Sequence, residues 1–347
     1  VQVPALSKDA RVVTMAAAAD GGLLLGGSDG RHELVGRLLA DGRVDKSFAG
    51  SGWARLRRPE SGPTLPISGP SATSLAEGAA GTVYVGGNNG SAHCCVEDFV
   101  AALTGHGRLE RSFGAGGWAR LARFDGSYTT DVFVDGKGLL VMGLVMFTGC
   151  GGPLFARLGS SGARQAGAGA TIGRSLASLS PGWSWYPVPA LFPRPGGGFA
   201  LAGDLITSGC KALPAGPARY RGLAVGLSAD GNVDRSFGTD GRTQLPPSHA
   251  AAVWAVPARG GATMVVAEPA PTRPSFRPKA LEVRELSAQG RYERGLGHAG
   301  TLTLDLPVIS GTAPYQVSVV PAPRGAVVVA AGSPKGVELL TVRPPGP

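Results

Sequence analysis

Charged and aromatic residues are scarce in this chain of 347 residues. Asp, Glu, Lys and Arg together make 16% of it, and Phe, Trp and Tyr make 6%. No apolar run reaches the roughly 18 residues that a membrane helix needs, because glycines interrupt the longest candidates, such as the stretch from Leu139 to Phe147. With 43% hydrophobic residues, the chain still has enough apolar surface for a packed core, which excludes disorder. The sequence therefore predicts a globular protein with no membrane span.

Cysteine is also rare, and the four cysteines do not form metal-binding pairs. Cys94, Cys95, Cys150 and Cys210 show no C-x-x-C spacing, so they predict no metal site. An even number favours disulfides in an oxidising compartment, although buried free thiols remain the alternative. The pairing is also open, since four cysteines allow three connectivities, one of which contains a vicinal Cys94–Cys95 bridge.

The amino terminus agrees with an extracytoplasmic setting. Val1-Gln2-Val3-Pro4 has neither the basic stretch nor the apolar core of a signal peptide, so a leader is absent from the given chain or has been removed. Together with the cysteines, this predicts a protein that is secreted or held at the cell surface.

Acidic residues are outnumbered, and the net charge is +9. Arginine carries most of this charge, scattered through repeated units such as 53–56 and 118–121 rather than clustered among aromatic residues. A nucleic-acid interface would need such a cluster, so we expect solvated strand faces and no nucleic-acid partner. A basic surface still favours anionic cell-envelope polymers through long-range attraction.

Glycine and proline, in contrast, are abundant, with 56 and 28 residues. This punctuation is typical of many short strands joined by turns. One segment recurs, most clearly at 34–48, 99–113 and 223–237, and each of these copies contains a glycine turn and ends in Ser-Phe. Weaker copies begin at Phe155 and Val283.

A second element, a glycine turn followed by a β-rich run, precedes each copy. It occurs six times, at Gly22, Gly81, Gly138, Gly198, Gly261 and Gly325. A regular spacing of about sixty residues indicates a repeat architecture such as a solenoid or propeller.

These units resemble the bacterial delta-60 repeat family, whose repeats carry an Asp-Gly turn, a Leu-Asp-x-Ser-Phe-Gly stretch and a following Gly-Gly. The resemblance covers nearly the whole chain. It departs from the pattern in the third unit, where Gln165 and Ala168 take the acidic and Phe positions, and in the fifth, where Leu296 replaces Phe. It implies a secreted or surface protein of β-propeller type and implies no particular chemistry.

Each unit reads as four strands, which in the first unit are A (Val13–Ala18), B (Leu23–Leu25), C (Leu34–Leu38) and D (Trp53–Leu56). A lone blade of this kind would expose both faces of its sheet. The sequence therefore predicts an all-β fold, a single β-propeller domain over residues 1–347 with six four-stranded blades. The predicted blades span 11–57, 71–122, 128–175, 187–246, 250–306, and 315–343 together with 1–7.

Two structural details follow from the repeat. The last blade lacks its own strand D, which we expect the strand Val1–Leu6 to supply, so that deleting residues 1–7 would lower the melting temperature. Between strands C and D, we expect Phe48 to fill the gap between blades and Asp45 to hydrogen-bond the turn backbone.

The long insertions all fall in the B–C loops and the D-to-A links, on one face of the predicted propeller. They comprise residues 57–71, 88–97, 144–153, 174–187, 204–221 and 268–279. Binding residues of such folds generally lie in variable loops on a rigid scaffold. Cysteines occur in three of these loops, so bridges between neighbouring loops are expected.

Six residues are candidates for ligand binding. Trp183, Trp185 and Tyr186 concentrate aromatic rings in one link, and such rings suit sugars or apolar ligands, although packing of the link onto the blades is the alternative. Asp131 is an inward polar residue of a strand A. His93 and His249 are expected on the loop face, where a solvated histidine is the alternative to a ligand or base.

Catalytic signals are thin. The chain contains no Walker loop, H-E-x-x-H motif or paired carboxylates, so we predict no catalytic residue, no metal and no cofactor. The sequence favours a monomeric binding or scaffold propeller of the cell envelope that recognises a glycan, polymer or protein through the B–C loops. An extracellular hydrolase or lyase with its site at the channel mouth is the alternative.

Overall fold

Antiparallel β-sheet makes up nearly all of the regular structure. A computed structural model describes residues 11–29, 32–57, 71–91, 94–121, 127–135, 137–145, 153–179, 184–185, 189–194, 197–206, 220–246, 250–269, 280–305, 316–322, 326–333 and 336–342. The chain divides into two compact units. The first comprises residues 1–147 and 154–166, and the second comprises residues 148–153 and 167–347.

The first three sheets each have four strands, paired in the order of the chain. The first contains β1 (Arg11–Ala17), β2 (Leu23–Ser28), β3 (Glu33–Leu38) and β4 (Trp53–Leu56). The second contains β5 (Ser71–Glu77), β6 (Val83–Ser91), β7 (Cys94–Leu103) and β8 (Trp118–Arg120). The third contains β9 (Ser127–Asp135), β10 (Gly138–Val145), β11 (Pro153–Leu158) and β12 (Arg164–Gln165).

The remaining elements are one helix and three sheets. The helix is α1 (Ala168–Leu179). The fourth sheet contains β13 (Ser184–Trp185), β14 (Ala190–Pro193), β15 (Phe199–Ile206), β16 (Tyr220–Leu227) and β17 (Arg242–Leu245). The fifth contains β18 (Ala250–Pro257), β19 (Thr263–Pro269), β20 (Ala280–Leu286), β21 (Tyr292–Glu293) and β22 (Thr301–Asp305). The sixth contains β23 (Gln316–Ala322), β24 (Ala326–Ser333) and β25 (Gly336–Val342).

Five of the sheets are four strands wide. In the fourth sheet β13 and β14 pair with successive parts of β15, and in the fifth β21 and β22 pair with successive parts of β20. The predicted all-β propeller architecture is thus confirmed. Six complete blades are not supported, because the sixth sheet has three strands. The amino-terminal strand predicted to complete it lies outside the described residues.

Apolar side chains pack between neighbouring sheets within each unit. In the first unit, Leu24 and Phe99 belong to one buried cluster between the first and second sheets, and Val100 and Leu139 belong to another between the second and third. The second unit repeats this arrangement between the fourth and fifth sheets and between the fifth and sixth. Burial between sheets is the physical reason that the sequence predicts stacked blades.

A Phe-to-glycine contact fastens sheet to sheet in both units. Phe48 is fully buried, and a Cβ added to Gly107 of the next sheet would lie 2.9 Å from its Cε1 atom. The amide of Ala49 donates to the carbonyl of His106 at 2.8 Å. Phe113 approaches Gly162 and Phe237 approaches Gly290 in the same way. The expectation that Phe48 fills an inter-blade gap is confirmed for all three Phe copies.

The acidic residue before each Phe orders the turn, as expected. Asp45 Oδ1 accepts hydrogen bonds from the amide and the hydroxyl of Ser47 at 3.0 and 2.6 Å. Glu110 does the same for Ser112, at 3.2 and 2.6 Å. The Asp-x-Ser-Phe motif is therefore a turn that presents the Phe to the neighbouring sheet.

Helix α1 is the main departure from the predicted repeat, which has strands only. It begins at Ala168, the residue that replaces the repeat's Phe, and the fourth strand of the third sheet, β12, has only two residues. Ile172, Leu176 and Leu179 form its buried face. At 12 residues, α1 is the longest helix of the described ranges, and none there could cross a membrane.

Candidate functional site

A cleft of about 890 Å³ lies between the outer strand of the first sheet and the turn that follows β7 in the second. We call it the Trp53 cleft. Its lining combines two tryptophans with four basic side chains and, among the described residues, contains no carboxylate. These six residues are Trp53, Arg55, Arg57, His106, Arg108 and Trp118. It is therefore aromatic and positively charged at once.

Trp53 owes its position to a glycine. A Cβ added to Gly36 of β3 would lie only 2.5 to 2.7 Å from three atoms of the six-membered ring, so the indole lies directly against the strand backbone. The Nε1 atom of Trp53 is buried and, within the described part of the chain, meets no hydrogen-bond acceptor. A buried N–H in this state costs about 1–3 kcal/mol.

Trp118 is the repeat's copy of Trp53 and forms the other aromatic wall. It is only 5% exposed, so little of its ring area is open to a ligand. Its ring meets the ring of Phe99 edge-on, with centroids 5.1 Å apart and planes inclined at 62°. This contact fixes the orientation of Trp118, since edge-to-face aromatic pairs are favourable. The wall is thus held by packing within the second sheet.

The charge of the cleft comes from a change in the repeat turn. In the first copy, Arg43 follows the turn glycine and pairs with Asp41, Nε to Oδ2, at 2.7 Å. The amide and guanidinium of Arg43 lower the pKa of Asp41. In the second copy Arg108 takes the place of Arg43, but His106 takes the place of Asp41. Among the described residues, the Arg108 guanidinium has neither an ion-pair nor a hydrogen-bond partner.

Arg55 adds a further cation at the edge of the cleft. Its side chain is 60% exposed, and its closest described carboxylate is Asp29, with Nε and Oδ2 3.9 Å apart. An exposed pair at that distance is worth little. An anionic ligand would therefore meet a guanidinium that is only weakly engaged.

Asp131, a predicted site residue, makes a contact between the inner strands β5 and β9. Ser74 Oγ donates to Asp131 Oδ1 at 3.2 Å, and the amide of Val132 donates to the same oxygen at 2.9 Å. Both strands have a β-bulge next to this contact. Ser74 is 5% exposed, so the pair stabilises the junction of two sheets.

The other predicted site residues are mostly beyond the described ranges. Trp185 lies in β13 and is 6% exposed, which leaves little ring area for a ligand. Trp183, Tyr186, His93 and His249, together with Cys150 and Cys210, lie outside the described residues. Their roles in binding and in disulfides stay predictions.

One predicted loop is in fact a hairpin. The segment 88–97 was expected as an irregular insertion, but β6 continues to Ser91 and β7 begins at Cys94, with Ser91 and Cys94 paired across the strands. Hydrophobic alternation in this polar segment is weak, so the sequence pattern does not predict that the two strands continue through it. Cys94 and Cys95 are thus the first residues of a strand.

Metal ligands do not converge anywhere in the ranges that the structure describes. No group of three or more His, Cys, Asp or Glu side chains lies close enough together there to hold a metal ion. The chemistry available at the Trp53 cleft is therefore stacking, hydrogen bonding and charge attraction.

Sequence reasoning missed the Trp53 cleft because it assigned function to the loop face. The Gly-Trp-Ala-Arg-Leu segments were recognised as repeats and interpreted as solvated strand faces. The feature that could have predicted the site is the replacement of the acidic turn residue by His106, while the turn arginine, Arg108, is retained. A repeat shows such a change directly, because the first copy supplies the reference.

Comparisons with known proteins show the fold. No family model matches the sequence, and no curated protein matches it. A protein of unknown function from Dyadobacter fermentans has a TM-score of 0.56 and 11% identity, over 97% of this chain and 96% of that one. The NanB sialidase of Streptococcus pneumoniae, solved with 2-[(3-chlorobenzyl)ammonio]ethanesulfonate, has a TM-score of 0.52 and 8% identity, over 99% of this chain and 70% of that one. At such low sequence identities, the likeness shows that this chain shares their fold and nothing more specific.

Proposed function

We propose that this protein is a secreted or cell-surface binding propeller that recognises an acidic glycan through the Trp53 cleft. The observation that carries the proposal is the lining of the cleft, which combines the half-buried ring of Trp53 with Arg55 and Arg108 and, among the described residues, contains no carboxylate. The likeness to a sialidase shows the fold and assigns no residue, so the cleft itself has to support the function. The resemblance to delta-60 repeats is compatible with such a surface protein.

Stacking and hydrogen bonding both favour a sugar. Tryptophan rings offer flat apolar area at low entropic cost, and the guanidinium groups of Arg55 and Arg108 can donate hydrogen bonds to sugar hydroxyls. Trp53 is half-buried and offers this area, and it is rigid because its ring lies on Gly36, whereas Trp118 is buried against Phe99. A preorganised surface loses little freedom when it binds.

The charges select an acidic sugar over a neutral one. Arg55 and Arg108 lack strong partners among the described residues, and a guanidinium binds a carboxylate through two parallel hydrogen bonds. Hydrolysis of a glycosidic bond generally requires two carboxyl groups, and the part of the lining that the structure describes contains none. Binding is therefore the function that the cleft supports.

The test is calorimetric titration with a panel of uronate-containing oligosaccharides and their neutral counterparts, such as tetragalacturonate and maltotetraose. We expect the wild-type protein to bind an acidic member. Arg108→Gln should weaken binding about tenfold or more, because a hydrogen bond to a charged group is lost. Trp53→Phe replaces the indole with a smaller ring and so reduces the stacking area, and it should also weaken binding.

Arg43→Gln is the matched control. Arg43 has the same position in the repeat turn, is 78% exposed and lies outside the cleft, so affinity should stay within about twofold of wild type. Equal losses in R43Q and R108Q would indicate non-specific charge attraction and contradict the proposal. A wild-type protein that binds no acidic oligosaccharide of the panel also contradicts it.

A further inference from the structure

The second unit contains its own cleft, of about 450 Å³, between β17 and the turn that follows β20. We call it the Arg242 cleft. Three arginines line it, together with Gln244 and Tyr292, and no carboxylate of the described ranges does. The arginines are Arg221, Arg242 and Arg291.

The Arg242 cleft is a modified copy of the Trp53 cleft. In the repeat, Arg242 takes the position of Trp53, and Arg291 takes the position of Arg108, directly after a turn glycine. Gln289 replaces the acidic turn residue, as His106 does in the second sheet. Twice, therefore, the turn arginine lines a cleft where the neighbouring acid is missing.

None of the three arginines is ion-paired within the described ranges. Arg221 Nε donates to Gln244 Oε1 at 2.6 Å, and Arg242 Nη1 donates to the carbonyl of Leu179 at 3.1 Å. The Arg291 guanidinium has no partner among these residues. Both recorded partners are neutral acceptors, so the positive charge is not compensated.

Arginines whose side chains are buried behave differently. Arg157 is buried and holds Asp135 through two contacts of 2.6 and 2.8 Å, and Arg194 pairs with Asp234. Structural arginines are thus matched with acids, as buried charges require. Three unmatched guanidinium groups at one concavity indicate a site for an anion.

We infer that the Arg242 cleft binds a tetrahedral oxyanion, the sulfate or phosphate ester of a saccharide. Such a group offers three terminal oxygens to three guanidinium groups, whereas one guanidinium can satisfy a carboxylate. With Arg in place of Trp, this cleft lacks the stacking surface of its copy. The saccharide carrier rests on the proposed function, but the oxyanion rests on the three arginines alone.

The experiment titrates the full chain with glucose 6-sulfate, glucose 6-phosphate and glucose, followed by ligand-observed NMR. Wild type should bind at least one ester more tightly than glucose, and the two esters distinguish sulfate from phosphate. Arg291→Gln should weaken ester binding about tenfold or more. Arg242→Gln should do the same, and since Arg242 also contacts Leu179, R291Q keeps the test independent of any effect on folding.

Controls separate this site from the first one. Arg235→Gln changes an exposed arginine of the same unit that lies outside the cleft, and it should leave ester binding within about twofold of wild type. R108Q and W53F should also leave it unchanged, even if they abolish binding of an acidic glycan. Ester binding that survives in R291Q and R242Q, or that falls equally in R235Q, overturns the inference.

Discussion

Ile172 of α1 lies against Gly231, where a Cβ would come within 2.5 Å of its Cγ1 atom. Gly231 is the turn glycine that corresponds to Gly107, the partner of Phe48. Ile172 of the helix therefore packs against the turn glycine of the fourth sheet in the same way that Phe48 packs against the turn glycine of the second sheet. The third repeat has Ala168 at the Phe position, and the helix that begins there supplies the missing apolar contact.

Truncating Ile172 should destabilise the protein as a core substitution does. Ile172 is fully buried, so Ile172→Ala should lower the free energy of unfolding by about 2–5 kcal/mol, measured by urea denaturation. Gly173→Ala is the control on the same helix, at an exposed position where a Cβ would meet nothing within 4 Å. It should be neutral or stabilise by up to about 1 kcal/mol. Equal, small effects in both variants would show that α1 does not fasten the fourth sheet.

Gly107 should tolerate alanine less well than Gly50 does. Both residues have positive φ, +72° and +74°, which L residues rarely adopt. Only at Gly107 would the new Cβ approach Phe48, at 2.9 Å from Cε1. Gly107→Ala should therefore cost more stability than the roughly 1 kcal/mol of backbone strain expected for Gly50→Ala. Similar thermal midpoints for the two variants would argue against a tight Phe48 contact.

Asp234 should contribute to acid sensitivity. Burial acts to raise its pKa, but the hydrogen bonds from Ser236 and the guanidinium of Arg194 prevail and lower it to about 2. Since the ordinary value is 3.8, this carboxylate stabilises the folded state above about pH 4, and the stabilisation is lost as pH falls toward about 2. Unfolding midpoints measured at constant ionic strength from pH 7 to 2 should show this loss.

Asp234→Asn tests that assignment. It should be less stable than wild type at pH 7, since the Arg194 side chain, 8% exposed, loses its anionic partner. It should also lose less stability than wild type between pH 4 and 2. Ser236→Ala removes one hydrogen bond to Asp234. Its loss of stability between pH 4 and 2 should therefore lie between those of wild type and D234N. If D234N lost as much stability as wild type between pH 4 and 2, a group other than Asp234 would be responsible for the acid sensitivity.

The sequence predicted the sheets better than the site. The blade spans, the turn glycines and the inter-blade role of Phe48 follow from a repeat in which each apolar position must find a partner in the next sheet. Helix α1 could not be predicted in this way, because Ala168 signals the loss of a contact without showing what replaces it. The Trp53 cleft was missed because Trp53 and Arg108 are 55 positions apart, and only packing of the first sheet on the second brings them to one surface.

At three junctions between sheets, a main-chain hydrogen bond joins the sheets without using the side chain at that position. His106, Ser161 and Gln289 occupy the same turn position, yet each offers the preceding sheet the same carbonyl, accepting an amide at 2.8, 2.7 and 2.7 Å. Since the peptide group makes this hydrogen bond, the side chain there can differ from one copy to the next without loss of the bond. A protein built in this way can acquire new surface chemistry by single substitutions while the hydrogen bonds between its sheets are kept.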